Sequence, residues 1–74
     1  MSRLVRMDHT GHTTLAEWRA DDAATVNEAV TAFRRELEAG FYAVVPGGPG
    51  KATQVRELPP DAELVILRRP IAGG

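Results

Sequence analysis

Five short strand-like runs and one helical stripe divide the chain. The first run, residues 3–7 (Arg-Leu-Val-Arg-Met), is rich in strand-forming side chains. Leu4 and Val5 are adjacent, so alternation alone leaves open which of them faces the core and what register the strand takes. Asp8-His9-Thr10-Gly11-His12 follows, with Gly11 available for a positive φ in a tight turn. Residues 13–19 form a second strand-like run, and two such runs joined by a short Gly-containing loop predict a hairpin. Period-two alternation puts Thr14, Ala16 and Trp18 on one face and Leu15 and Glu17 on the other, with the large Trp18 ring pointing inward.

The period then lengthens. Val26, Val30, Phe33 and Leu37, with Ala29, fall on one helical stripe, while Arg34, Arg35, Glu36 and Glu38 lie mostly off it. Thr25-Val26-Asn27-Glu28 fits a capping box, in which the Thr25 hydroxyl accepts from the N3 amide and Glu28 reaches back to the Thr25 amide. Asp22 is a rival N-cap. Gly40 is expected just past the end, in the left-handed conformation that closes many helices. The spacing predicts a helix over 26–39, about 20 Å long at 1.5 Å per residue.

Strand-like segments return in the second half. Phe41-Tyr42-Ala43-Val44-Val45 reads as a central strand. Pro46-Gly47-Gly48-Pro49-Gly50 can continue neither helix nor sheet. Residues 52–58 read as a weak edge strand or an irregular return, and Pro59-Pro60-Asp61-Ala62 as a second turn. Glu63 to Arg68 is apolar on both faces through Leu64-Val65-Ile66-Leu67, which places it centrally, beside the first strand. A single helix cannot separate two layers of strands. It must pack across one face of one mixed sheet of four to five strands, an α+β fold.

Composition narrows the function more than the fold. With 74 residues there is one domain, burying roughly 60–65% of the surface of its unfolded chain. A hydrophobic content of 43% beside 26% charge argues against wholesale disorder. Cysteine is absent, which excludes a disulfide framework, a thiol nucleophile and a thiolate metal site. A net charge of −1 gives no field to gather nucleic acid or an anionic membrane. No apolar run approaches the ~20 residues that span a bilayer, and no apolar stretch follows Arg3 and Arg6 as a secretory signal requires. A cytoplasmic, monomeric protein is expected.

With these elements in order, the chain resembles the ubiquitin-like β-grasp family over essentially its whole length. The hairpin from Leu4 to Leu15, with its Thr10-Gly11 turn, resembles the opening hairpin of ubiquitin. The helix stands in the matching place, and Glu63-Leu64-Val65-Ile66-Leu67-Arg68-Arg69 resembles ubiquitin's arginine-bearing last strand. Pro60 to Ile66, followed by Pro70-Ile71-Ala72-Gly73-Gly74, is similar instead to the ends of the bacterial sulfur carriers of thiamin and molybdopterin synthesis. Pro70 departs from the ubiquitin pattern, where an arginine stands, and stiffens the exit from the strand. The connection between the third and last strands is shorter than ubiquitin's and closer to the carriers'. The resemblance implies a β-grasp domain over residues 1–69 and a flexible Gly-Gly arm over 70–74. It further implies a protein modifier or sulfur carrier served by a separate E1-like activating enzyme, with an acceptor protein or a sulfur-accepting enzyme downstream.

The chemistry of such an end can be argued directly. A carboxylate is a poor acyl donor until it attacks the α-phosphate of ATP and becomes an acyl-adenylate, which sulfide or a thiolate then opens. Reaching ATP requires a tail thin enough for a narrow channel, and glycine, lacking Cβ, permits close backbone approach. Gly74 is then the reacting carboxylate and Gly73 the steric allowance. The catalytic groups belong to the partner, so the chain itself is not expected to be an enzyme or to hold a cofactor.

Partner contacts are expected from Arg68, Arg69, Pro70, Ile71 and Ala72 at the arm, and from Leu64 and Ile66. Adjacent strand residues point to opposite faces, so Arg68 and Arg69 cannot both join one contact surface. Of Leu64–Leu67, one alternating pair must leave the helix face, and an apolar patch there is a docking candidate. Lys51 is the only lysine and the candidate acceptor for conjugation; with one lysine, extensive lysine-linked chains are not expected.

Other constellations are weaker. His9 and His12 bracket the first turn with Asp8 nearby, a pattern read as exposed turn residues rather than a metal site. Gly47-Gly48-Pro49-Gly50-Lys51 lacks the earlier glycine and following Ser/Thr of a phosphate loop, since Val45 and Ala52 occupy those positions. Asp21-Asp22 reads as a solvated approach to the helix. A domain this small is expected to lack a ligand pocket of the usual ~300 Å³. Two rivals stand beside the carrier: a non-covalent docking module with an incidental Gly-Gly, and an assembly domain cut from a longer chain.

Overall fold

In a computed structural model of the chain, residues 1–47 and 49–70 are described. Two strands, β1 (Ser2–Asp8) and β2 (Gly11–Trp18), lead into helix α1 (Ala23–Glu38), followed by β3 (Tyr42–Pro46), β4 (Ala52–Val55) and β5 (Leu64–Arg68). The strands form one mixed sheet in the order β2-β1-β5-β3-β4. β1 and β5 are parallel, and every other neighbouring pair is antiparallel. The doubly apolar β5 lies at the centre beside β1, as its sequence required.

The hairpin closes with His9 and Thr10 between the paired residues Asp8 and Gly11, and Gly11 takes a φ of +121°. Asp8 Oδ1 accepts from the Thr10 amide at 2.8 Å and also from the Thr10 hydroxyl. Alternation along β2 is interrupted. Leu4 pairs with Ala16 but Val5 pairs with Thr14, so Leu15 is the extra residue of a bulge. Leu15 therefore packs against the core, and Thr14 falls on the other face opposite Val5. The expectation that Thr14 shares a face with Ala16 and Trp18 is corrected for that reason.

The helix starts earlier than the capping box suggests. Asp22 is the N-cap, its carboxylate accepting from the Ala24 amide at 3.1 Å and, at 3.5 Å, from the Thr25 amide. Thr25 sits inside the first turn and ties the approach together: its hydroxyl accepts from the Arg19 amide at 3.0 Å and donates to the Asp22 carbonyl at 2.9 Å. Asp22 thus serves the helix rather than solvent alone. At the other end Gly40, with φ +103°, closes the helix as expected. Its amide bonds the Leu37 carbonyl and the Phe41 amide bonds the Glu36 carbonyl, the paired bonds of a Schellman motif.

The core forms on one face of the sheet. Leu4, Trp18, Ala29, Phe33, Ala43, Leu58, Val65 and Leu67 make one buried cluster, with Val26, Val30 and Leu37 packed against it. Leu4 wins the inner position; Val5 is buried too, but outside that cluster. The Trp18 indole nitrogen donates to the Pro60 carbonyl at 2.9 Å, pinning the β4–β5 connection. Residues 52–58 divide between the two expected forms, an edge strand first and an irregular return after it. β4 ends at Val55, because Leu58 turns into the core and Pro59 has no N–H to offer a ladder.

Candidate functional site: the open sheet face and the root of the arm

β5 has two sides with different neighbours. Val65 and Leu67 are fully buried toward the helix. Leu64 and Ile66 are half-buried and stand outside both the core cluster and the residues packed on it. Register aligns Ile66 with Val5 on β1 and with Val44 on β3, so three aliphatic side chains form one rung on the face away from the helix. Met7, Arg68 and Tyr42 form the next rung toward the end of the sheet.

Arg68, the last residue of β5, and Arg69, just beyond it, have different nearest neighbours but share one cleft, so the expectation that they cannot join one surface is corrected. Both line a shallow cleft of about 460 Å³ with Met7, Asp8, His9 and Tyr42. Arg69 lines an open cleft of about 480 Å³ with Arg6, Asp8, His9, Phe41 and Pro70. The expectation that the domain is too small for a cleft of ligand size is corrected here: these are surface grooves between strand ends, which need no enclosed volume.

Charge is arranged unevenly around the second groove. Arg6 Nη1 bonds Glu36 Oε1 at 2.8 Å, and Arg6 Nε lies 3.9 Å from Asp8 Oδ2. The Thr10 hydroxyl and amide hold the Asp8 carboxyl below the usual carboxylate range, with smaller contributions from His9 and Arg6. The guanidinium carbons of Arg6 and Arg69 each lie 5.7 Å from the centroid of the Phe41 ring.

The remaining expected residues fall as follows. Pro70 is exposed beside Arg69. Ile71, Ala72, Gly73 and Gly74 lie outside the described residues. Lys51 is exposed in the β3–β4 turn, its carbonyl accepting from the Gly47 amide at 3.0 Å. That turn follows Pro46, at the opposite end of β3 from Tyr42, which pairs with Arg68, so Lys51 and the arm root are not brought together. His9 and His12 are both exposed, and among the described residues no three His, Cys, Asp or Glu side chains cluster as a metal site would require. Asp21 pairs with Arg19 at 3.6 Å, both well exposed.

Sequence reasoning missed Arg6, Met7, Phe41 and Tyr42 at the arm root. The Gly40 signal could have found Phe41, since the residue after a helix-closing glycine is fixed by the closing bonds. Nothing local marks Arg6, whose partners come from 30 residues away in the helix and from the β3 approach. Among the described residues no helix is long and apolar enough to cross a membrane. Comparison with protein-family models, with curated proteins and with solved structures gave no match.

Proposed function

We propose that this chain is a ubiquitin-like β-grasp protein whose Gly74 carboxylate is adenylated by a separate E1-like activating enzyme, and then thiocarboxylated or conjugated. One observation carries the reading. A single central strand, β5, bears an apolar docking rung through Ile66 and leads directly, through Arg68 and Arg69, to the Gly-Gly arm. A partner that grips the open face thereby holds the strand from which the arm departs. The helix covering only the other face, and the sheet order β2-β1-β5-β3-β4, support the same fold reading.

The chemistry is simple for this chain. A Gly74 carboxylate oxygen attacks the α-phosphate of ATP, the acyl-adenylate forms and pyrophosphate leaves. Sulfide or a thiolate then displaces AMP from the carbonyl carbon. The chain contributes a side-chain-free terminus, at an ordering cost of roughly 1–2 kcal/mol per residue immobilised, offset by docking of the folded domain. The reading requires a free Gly74 carboxylate in the mature protein.

The test is an incubation with ATP and the activating enzyme encoded nearest to this chain, followed by intact-mass measurement after sulfide or hydroxylamine. A modified C-terminus that disappears when Gly73 and Gly74 are deleted is the expected result. No mass change, together with a partner that binds equally well without the two glycines, favours the second reading, a non-covalent docking module. The specific support for that alternative is the half-buried pair Ile66 and Val44, set beside the buried Val5 on the face away from the helix, which needs no chemistry at the terminus to serve as a contact surface.

A further inference from the structure

The arrangement around Phe41 goes beyond a contact surface. Glu36 holds two parts of it at once. Its carbonyl accepts from the Phe41 amide through the helix-closing motif, and its carboxylate takes Arg6 at 2.8 Å. The Glu36 side chain is only 12% exposed, so this pair is better shielded from solvent than an ordinary surface ion pair. Phe41 packs against the core cluster on one side and has the Arg6 guanidinium near its ring. Tyr42 pairs with Arg68 across β3 and β5, which makes Phe41 and Arg69 the next positions beyond that rung. The Arg69 guanidinium then lies within cation–π range of the same ring. The charge of Arg6 is balanced by Glu36 and Asp8. Among the described residues, no carboxylate pairs with Arg69.

We propose that Phe41 is a positioning residue for the reaction at Gly74: its ring, braced by Arg6 and Glu36, holds Arg69 and so fixes the backbone where the chain leaves β5. This rests on the carrier reading above. Holding the arm root before binding lowers the entropy that the activating enzyme must otherwise remove, so the effect falls on association rather than on the chemical step. At 5.7 Å and a partly exposed site, the interaction belongs at the weak end of its class, and the expected change is about two- to fivefold.

The experiment compares the full chain with Phe41→Leu, which keeps apolar bulk but loses the ring, and Phe41→Tyr, which keeps the ring. In the free proteins, NMR reads the ring-current shifts of the Arg69 side-chain protons and the relaxation of the Arg69 amide. Shifted Arg69 protons and a restrained amide in wild type and Phe41→Tyr, both lost in Phe41→Leu, are expected. An Arg69 amide equally mobile in all three overturns the proposal, whether or not the protein is ever adenylated. With the activating enzyme, KM for the carrier is expected to rise two- to fivefold in Phe41→Leu at unchanged kcat, with Phe41→Tyr restoring it. Normal NMR signatures with an unchanged KM also overturn the positioning role while leaving the carrier reading intact. Failure of wild type to be adenylated removes the carrier reading and, with it, any role of Phe41 in a reaction at Gly74.

Discussion

At residue scale, Trp18 combines full burial with a long-range hydrogen bond. It lies in the core cluster and donates its indole proton to the Pro60 carbonyl, so one residue joins β2 to a connection 42 positions away. Trp18→Phe keeps most of the apolar volume but loses that bond and leaves a void; unfolding followed by far-UV circular dichroism should show a loss of about 2 kcal/mol. Asp8 offers a test by pH. Its carboxyl titrates below the usual range because the Thr10 hydroxyl and amide stabilise the charged form. A folded value below the unfolded one (about 3.9) means that this stabilisation is present above the unfolded value and is lost as pH falls through the folded value. Asp8→Asn keeps an acceptor for the turn but not the charge. Its urea midpoint should lie below wild type at pH 7, and the gap should close once the pH is below the folded value.

The informative element is the helix, because two signals competed for its start. Thr25 with Glu28 fits the capping-box pattern, yet Asp22 holds the cap. The reason is tertiary. β2 ends at Trp18, whose ring must reach the core, and the Asp22 amide bonds the Arg19 carbonyl, turning the chain early enough for the helix to begin at Ala23. Asp22→Ala should destabilise the fold by about 1 kcal/mol in chemical denaturation. Glu28→Ala, which removes any side-chain acceptor at that position, should be near neutral, since Glu28 makes no capping bond among the described residues; a loss comparable to that of Asp22→Ala would restore the capping box. The bulge in β2 is a second case at this scale. Alternation gives the correct inward face at Ala16 and Trp18 and the wrong one at Thr14, because a bulge leaves no period-two trace in sequence.

On the scale of the whole molecule, the two faces of β5 differ in how deeply they are buried. Leu67 and Ile66 are neighbours of similar size on one strand, but Leu67 is fully buried toward the helix and Ile66 lies half-buried on the open rung. Leu67→Ala should cost about 2–5 kcal/mol, enough to unfold a domain of this size, whereas Ile66→Ala should cost about 1 kcal/mol. If the open face docks a partner, Ile66→Ala should weaken binding far more than it weakens the fold, as calorimetry on the two properties would show. Equal losses in stability for the two substitutions would mean that both faces are covered.

The sequence by itself determined the element order, the central place of β5, the helical stripe and the role of Gly40. Each depends on local period, on apolar content over both faces, or on a backbone conformation that glycine tolerates best. Alternation does not part Arg68 from Arg69, because Arg69 lies beyond the end of β5 and lines one cleft together with Arg68. Only the tertiary structure decided that Leu4 rather than Val5 faces the helix, that Leu15 is a bulge residue, and that Arg6, Glu36, Phe41 and Arg69 meet at the root of the arm. Those outcomes follow from strand register and from pairings between residues up to 61 positions apart, as Met7 and Arg68 are. A local pattern constrains which face a side chain takes, and only packing fixes which distant partner it finds there.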